Sequence, residues 1–259
     1  MTALLAVHSL THYFGGLRAV ADFSLSLDKG DLVGLIGPNG AGKTTIFNLI
    51  TGLYKPSSGR IELCGRDITG RPPHAINRMG IARTFQNIRL FHDMSIIDNI
   101  KVAARSREPY GVPAALLHPP AFWKNEQSCD EYCMELLSVF GLDKRADDRG
   151  SSLPYGKQRR LEIARAVATN PSLLLLDEPA AGMNHSEAKE LIDTILWVKE
   201  KFGLAVLIIE HNMQVIMNVS RRIVVIDFGE IIAQGSPAQV RSDPHVIEAY
   251  LGKEAGRAA

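Results

Sequence analysis

With 259 residues, 46% of them hydrophobic and 22% charged, the chain is long enough to bury a substantial core, as one domain or one domain carrying a subdomain. A formal net charge of +1 excludes the basic excess or stripe of a nucleic-acid binder, so no nucleic-acid partner is expected and recognition must rest on shape and local chemistry. No apolar stretch reaches membrane-spanning length, and the start Met1-Thr2-Ala3-Leu4-Leu5-Ala6-Val7-His8 lacks the basic segment and long apolar centre of a secretory signal. The expectation is a cytoplasmic chain, with docking on a membrane protein left open.

In chain order, alternating segments from Leu5 to Leu10 and from Ala19 to Leu27 predict antiparallel strands, ended by the turn Asp28-Lys29-Gly30-Asp31. An apolar strand from Leu32 to Ile36 runs into Gly37-Pro38-Asn39-Gly40-Ala41-Gly42-Lys43-Thr44, and a helix follows from Thr45 to Ile50 with Gly52 ending it as a cap. Ile61 to Leu63 before Gly65-Arg66-Asp67 predicts a short hairpin strand. From about Ser95 to Leu142 the pattern turns helical, broken by prolines at Pro109, Pro113, Pro119 and Pro120. This predicts a helical subdomain, about residues 88–157, inserted in one domain spanning 1–259 and containing a loop. Beyond it come a helix (Lys157 to Thr169), a buried strand (Leu173 to Leu176), a helix (Ser186 to Phe202), a second buried strand (Leu204 to Ile209) and a packing helix from about Pro244 to Leu251. Continuous apolar strands separated by helices are what a parallel sheet covered on both faces requires. Cys64, Cys129 and Cys133 make an odd number without zinc-type partners; Cys129 and Cys133 share one helix face and are read as reduced structural residues.

The segment Gly37 to Thr44 is a complete G-x-x-x-x-G-K-[ST] phosphate loop between a strand and a helix. A glycine-rich turn there aims several backbone N–H groups at one anion. Lys43 would neutralise the β- and γ-phosphates and the Thr44 hydroxyl would complete the coordination of Mg²⁺, so a nucleoside triphosphate is the expected ligand. A glycine turn that merely lets strand and helix pack is the plain alternative, and the full set of fixed positions argues against it. The second signal is Leu173-Leu174-Leu175-Leu176-Asp177-Glu178, an apolar strand delivering two carboxylates at its C-terminal end, where ligands of parallel α/β sheets sit. Asp177 would hold Mg²⁺ through its water shell, and Glu178 would orient and polarise the water that attacks the γ-phosphate. Alone, such a pair could simply cap the segment that begins at Pro179; beside a phosphate loop, the functional reading wins.

The spacing of the phosphate loop, Gln86, Ser152-Leu153-Pro154-Tyr155-Gly156-Lys157-Gln158, the Asp177-Glu178 pair and His211 resembles the ATP-binding subunit of an ABC transporter over nearly the whole chain. Gly15-Gly16-Leu17-Arg18-Ala19-Val20, Ala82 to Phe91, Glu178-Pro179-Ala180-Ala181-Gly182 and Ala249-Tyr250-Leu251-Gly252 look like the larger, LivG-type ATPase subunit of branched-chain amino acid importers. The resemblance implies an α/β fold: a P-loop NTPase core with a mainly parallel sheet, an N-terminal antiparallel β subdomain and an inserted helical subdomain. It implies an ATPase using ATP and Mg²⁺ on the inner face of the cell membrane. Uptake would pass through separate transmembrane permease subunits, fed by an extracytoplasmic solute-binding protein, and a second ATPase subunit would complete the assembly. That second subunit is a LivF-like heterodimer partner or another copy of this chain.

Residue roles follow from the same resemblance. Tyr13 matches the aromatic that stacks on adenine, with Phe14 as its competitor and plain core packing as the bland reading. Gly37 through Thr44, and Thr45, hold the nucleotide. Gln86 matches the residue that reaches Mg²⁺ and the attacking water, and His211 the histidine that contacts the γ-phosphate; otherwise they read as a solvated amide and a structural imidazole. The signature Leu153 to Lys157 of one subunit closes over ATP held by the other, head to tail, so a lone copy should hydrolyse slowly. Here it departs from Leu-Ser-Gly-Gly-Gln at Pro154, Tyr155 and Lys157. Proline has neither hydroxyl nor N–H to offer a phosphate, which predicts a composite site weakened rather than lost. Asn87 to Asp93, with Ile88, Leu90 and Phe91, either receives a short helix from a membrane subunit or starts the helical subdomain's core. A GTP switch is opposed by the lack of an Asn-Lys-x-Asp motif, and an ABC protein of DNA repair or translation by the single copy of each motif. Glu178 and His211 oppose a binding or regulatory module with weak turnover. The transported molecule cannot be read from these residues; branched-chain amino acids are the expectation by resemblance.

Overall fold

The computed structural model describes residues 3–106, 120–211 and 213–251. Pro109, Pro113, Pro119 and Gly252 lie outside them. Strands β1 (Leu5–Phe14) and β2 (Leu17–Leu27) pair antiparallel about the Gly15-Gly16 turn. Both run farther than the apolar alternation, because the ladder continues from Leu5 opposite Leu27 to Phe14 opposite Leu17. Strand β3 (Leu32–Ile36) leads into helix α1 (Lys43–Ile50), and β4 (Ser58–Leu63) with β5 (Arg66–Asp67) completes a four-stranded antiparallel sheet in the order β2-β1-β4-β5.

Helix α2 (Pro73–Met79) and the three-residue strand β6 (Ile81–Arg83) follow, both too short to give a periodic signal in sequence. Helix α3 (Ile96–Ala104) starts where Ser95 accepts a hydrogen bond from the Asp98 N–H, an N-cap that fixes the predicted boundary. Helix α4 (Pro120–Val139), α5 (Tyr155–Ala168), β7 (Leu173–Asp177), α6 (His185–Phe202) and β8 (Ala205–Ile209) match the predicted alternation closely. The remaining elements are α7 (Met213–Val219), β9 (Arg222–Asp227), β10 (Glu230–Gly235), α8 (Pro237–Ser242) and α9 (Pro244–Leu251). Of these only α9 was legible beforehand, although the buried run Ile223-Val224-Val225-Ile226 in β9 carries the same signal as β7 and β8.

The second sheet has the order β10-β9-β3-β8-β7-β6, parallel throughout except for the β9–β10 hairpin. Strand alternation divides its side chains between two cores. Leu32, Leu174, Leu176, Val206 and Ile208 face a core shared with Ile96 and Ile100 of α3, Leu136 and Leu137 of α4, and Leu161 and Ala164 of α5. Val33, Leu35, Leu173, Leu175 and Leu207 face the other, which contains Leu5, Val7 and Phe23 of the antiparallel sheet and Ile46 and Phe47 of α1. Helices therefore cover one face, and α1 with the antiparallel sheet covers the other. The expected architecture is present, and the strand order brings the C-terminal ends of β3, β8, β7 and β6 side by side.

Cys133 is fully buried on α4 with its sulfur 4.0 Å from that of Cys129, whereas Cys64 is exposed. Burial, and then the neighbouring Cys129 thiol, push the Cys133 thiol up to about 12. Thiolate is the reactive form, so alkylation of the native protein at neutral pH is expected to label Cys64 and spare Cys133. Mass spectrometry of the digested protein checks this; equal labelling of the two would contradict it.

Candidate nucleotide-binding and hydrolysis site

The phosphate loop fills the turn between β3 and α1, and close backbone approach explains two of its glycines. A Cβ on Gly37 would stand 2.0 Å from the Ile226 carbonyl oxygen, and one on Gly42, at φ +103°, would stand 2.6 Å from that of Ala19. Only glycine lets β9 and β2 close on the loop this tightly. The Lys43 ammonium donates to the carbonyls of Gly37 (2.7 Å) and Pro38 (2.8 Å), which folds it back over the loop. Burial pulls this amine below the usual lysine range, and Glu178 and then Asp177 pull it partly back.

A cleft of about 780 Å³ opens above the loop. Asn39, Gly40, Ala41, Gly42, Lys43, Thr44 and Thr45 line it from the loop, Leu17, Arg18, Ala19 and Phe228 also line it, and Gln86, Glu178 and His211, in contact with one another, form an edge. Three strands supply that edge. Glu178 directly follows β7, His211 follows β8 and Gln86 follows β6, and the pairing of Asp177 with Ile209 sets the first two level. Glu178 sits at φ +49°, a conformation an unbranched acidic residue rarely adopts, held by its N–H bonding to the Ile209 carbonyl (2.9 Å). One Glu178 oxygen lies 2.5 Å from His211 Nε2 and the other accepts from Gln86 Nε2 at 3.1 Å. Glu178, read from the strand it follows, and Gln86 and His211, named by resemblance, thus stand in contact across the mouth of the cleft.

Asp177 is placed differently. Its buried carboxylate lies below the cleft lining and accepts from Arg83 at 2.8 Å. Burial raises its pKa, and the Arg83 guanidinium acts against that rise. Arg83 also donates to Asn48 on α1 (2.6 Å) and packs over the Phe47 and Phe85 rings, which ties α1, β6 and β7 together beneath the loop. Among the described residues no group of three or more His, Cys, Asp or Glu is arranged to hold a metal ion. The Thr44 hydroxyl, Gln86 amide and Asp177 carboxylate are hard oxygen donors, a set that fits Mg²⁺ held jointly by phosphates and water.

Tyr13 is 48% exposed and stands outside the cleft lining, while Phe14 packs edge-on against His12 (4.6 Å) and Tyr54 (5.3 Å). Phe14 is 43% exposed as well. None of Leu153, Pro154, Tyr155, Gly156 and Lys157 lines the cleft. Leu153 is core, Pro154 is the N-cap of α5 without a side-chain bond, and Tyr155 and Lys157 are exposed. Between Gln86 and α3 the two readings divide: Leu90 is buried in the core, and Phe91 is 47% exposed under the Arg165 guanidinium.

Sequence reasoning missed the polar pair that grips the Gln86 loop. Arg159 on α5 is fully buried and donates to the Phe85 carbonyl (2.6 Å), the Gln86 carbonyl (2.7 Å) and Glu162 (2.7 Å). Glu162 in turn accepts from the N–H groups of Phe85 (3.4 Å) and Arg89 (3.3 Å). Two opposite charges at i, i+3 beside the apolar side of α5 were the available signal.

The profile described as ABC transporter matches residues 20–181, across both the phosphate loop and Glu178. This chain belongs to the ABC transporter family. A second profile, for branched-chain amino acid ATP-binding cassette transporters, matches residues 230–256. The high-affinity branched-chain amino acid transport ATP-binding protein LivG of Salmonella typhimurium is 46% identical over 250 residues, covering 96% of this chain and 98% of that protein. BraF of Pseudomonas aeruginosa, which carries the same description, is 45% identical over the same shares. A solved ATP-binding cassette of an ABC transporter in its ADP conformation superposes with a TM-score of 0.84 at 32% identity, covering 98% of this chain and all of that one. The chain is accordingly an ABC ATPase that binds nucleotide and works as a transporter subunit, and no helix among the described residues is long and apolar enough to cross a membrane.

Proposed function

We propose that this ABC ATPase powers import of branched-chain amino acids through separate permease subunits on the inner face of the cell membrane. The observation that carries the chemistry is the Gln86–Glu178–His211 chain closing the mouth of the phosphate-loop cleft. Lys43 and the loop N–H groups hold the phosphates, and Mg²⁺ held by Thr44, Gln86 and, through water, Asp177 would offset their charge. Glu178 accepts a proton from the attacking water as its oxygen bonds to the γ-phosphorus and the bond to ADP breaks. Gln86 and His211 hold that carboxylate in place, and His211 is set to reach the γ-phosphate. This catalytic chain favours turnover over a nucleotide-dependent binding module.

The amino-acid class rests on the names of the relatives and on the second profile. With its partner subunits in proteoliposomes, the assembled transporter is expected to take up leucine, isoleucine and valine with ATP inside and to leave glutamine outside. ATP-driven uptake of glutamine alone would overturn the assignment.

The signature lies off its own chain's cleft, which supports completion of each site by a second ATPase subunit facing head to tail. A LivF-like heterodimer partner fits a signature this altered, because a better site on the partner can balance it. Lys157 and the N-terminus of α5 keep a positive end for phosphate, while Pro154 withholds a hydroxyl. Pro154→Ser is expected to raise ATP turnover several-fold in the assembled transporter. Phosphate release measured beside the unaltered protein checks this, and no gain would count against Pro154 as the weak point.

A further inference from the structure

The last residue of β6 is an arginine that the fold buries and divides between two elements. Arg83 pairs with Leu175 across the parallel β6–β7 ladder. Paired residues share a face, as do residues two apart on one strand, so the Arg83 and Asp177 side chains lie on the face that α1 covers. Only 5% of the Arg83 side chain and 2% of the Asp177 side chain remain exposed. One terminal nitrogen, Nη2, donates to Asp177 Oδ2 (2.8 Å). The other, Nη1, donates to Asn48 Oδ1 (2.6 Å) on α1 and to Thr51 Oγ1 (3.3 Å) at its C-cap.

Stability alone does not account for this arginine. Its Nε is buried and has no hydrogen-bond partner among the described residues, which costs the fold. A buried ion pair seldom outdoes apolar packing of the same volume. What the guanidinium joins is more telling. Thr44 stands in the first turn of α1, Asp177 ends β7, and Gln86 lies three residues beyond Arg83 itself. The three oxygen donors read as holding Mg²⁺ are thus carried by the three segments that Arg83 fastens together. The Asp177 N–H also donates to the Thr84 hydroxyl (3.4 Å), a second tie between the ends of β6 and β7.

We propose that Arg83 is a positioning residue for the reaction: its guanidinium sets the distance between Asp177 and the phosphate-loop helix, and with it the geometry of the Mg²⁺ donor set. Altering a partner that orients a metal-binding carboxylate commonly changes metal affinity about 10–100-fold. The inference rests on the reading of Thr44, Gln86 and Asp177 as holders of the metal.

Mn²⁺, which takes the same oxygen donors, serves as the probe. Electron paramagnetic resonance counts free Mn²⁺ over the full chain with a limiting amount of a non-hydrolysable ATP analogue. Arg83→Lys keeps a cation beside Asp177 but lacks the planar fork that serves Asp177 and Asn48 together. It is expected to weaken Mn²⁺ binding about 10-fold, while affinity for the analogue in EDTA, read by calorimetry, holds. Asn48→Ala leaves the bond to Asp177 in place and cuts the hold on α1. A smaller loss of Mn²⁺ affinity is expected there, which tests the bridge even where Arg83→Lys fails to fold. Mn²⁺ affinity equal to that of the unaltered chain in both variants would overturn the proposal, as would a matching loss of analogue affinity in EDTA, the mark of a merely structural role. Mn²⁺ held by the unaltered complex no more tightly than by the free analogue would instead remove the metal reading, and the proposal with it.

Discussion

Arg159→Ala is expected to lower the stability of the protein by about 3–5 kcal/mol, because it removes the guanidinium hydrogen-bonded to the buried Glu162 carboxylate. For a chain of this size that corresponds to a drop in thermal midpoint of roughly 6–20 °C. The same change frees the carbonyls of Phe85 and Gln86, so turnover should fall further than the loss of folded protein explains. The double variant Arg159→Met with Glu162→Leu separates the two effects. Replacing both charges with apolar groups removes the buried carboxylate as well and should restore most of the stability. It does not restore the grip on the Gln86 loop, so turnover should stay low. Thermal unfolding and phosphate release on the same samples decide the matter; turnover that recovers along with stability would show that the pair only supports the fold.

Glu178→Gln is expected to reduce ATP turnover about 10²–10⁴-fold, the usual range for loss of a general base, while ATP still binds. Glutamine keeps the shape and can still bond to Gln86 and His211, but its amide takes no proton from water. The deficit should appear in kcat, with KM for ATP little changed, because the lost interaction belongs to the transition state. Turnover equal to that of the unaltered chain would take Glu178 out of the mechanism and leave its strained backbone at φ +49° without a functional reason.

The phosphate loop, β7 and β8 were legible because each is a contiguous signal: a glycine pattern between strand and helix, or a short apolar run ending in acids. The long hairpin of β1 and β2 was only half visible, since its outer part is held by ladder bonds rather than by alternating burial. Arg83 and Asp177 are 94 residues apart, so nothing local reveals that the carboxylate read as a metal holder is also the partner of a buried arginine. Arg159 and Glu162 fall beside the apolar side of α5, where charges read as solvated until the Gln86 loop is seen covering them. Gln86 and His211 came from resemblance alone, and their meeting at Glu178 follows from the order of β6, β7 and β8 in the sheet.

Everything proposed for transport depends on a cleft that one chain leaves without its signature. Light scattering of the Glu178→Gln chain mixed with its partner ATPase subunit, in Mg-ATP and then in Mg-ADP, tests this directly. The expected result is the mass of two paired subunits in ATP and of single chains in ADP. Single chains under both conditions would contradict completion of the site by a second subunit.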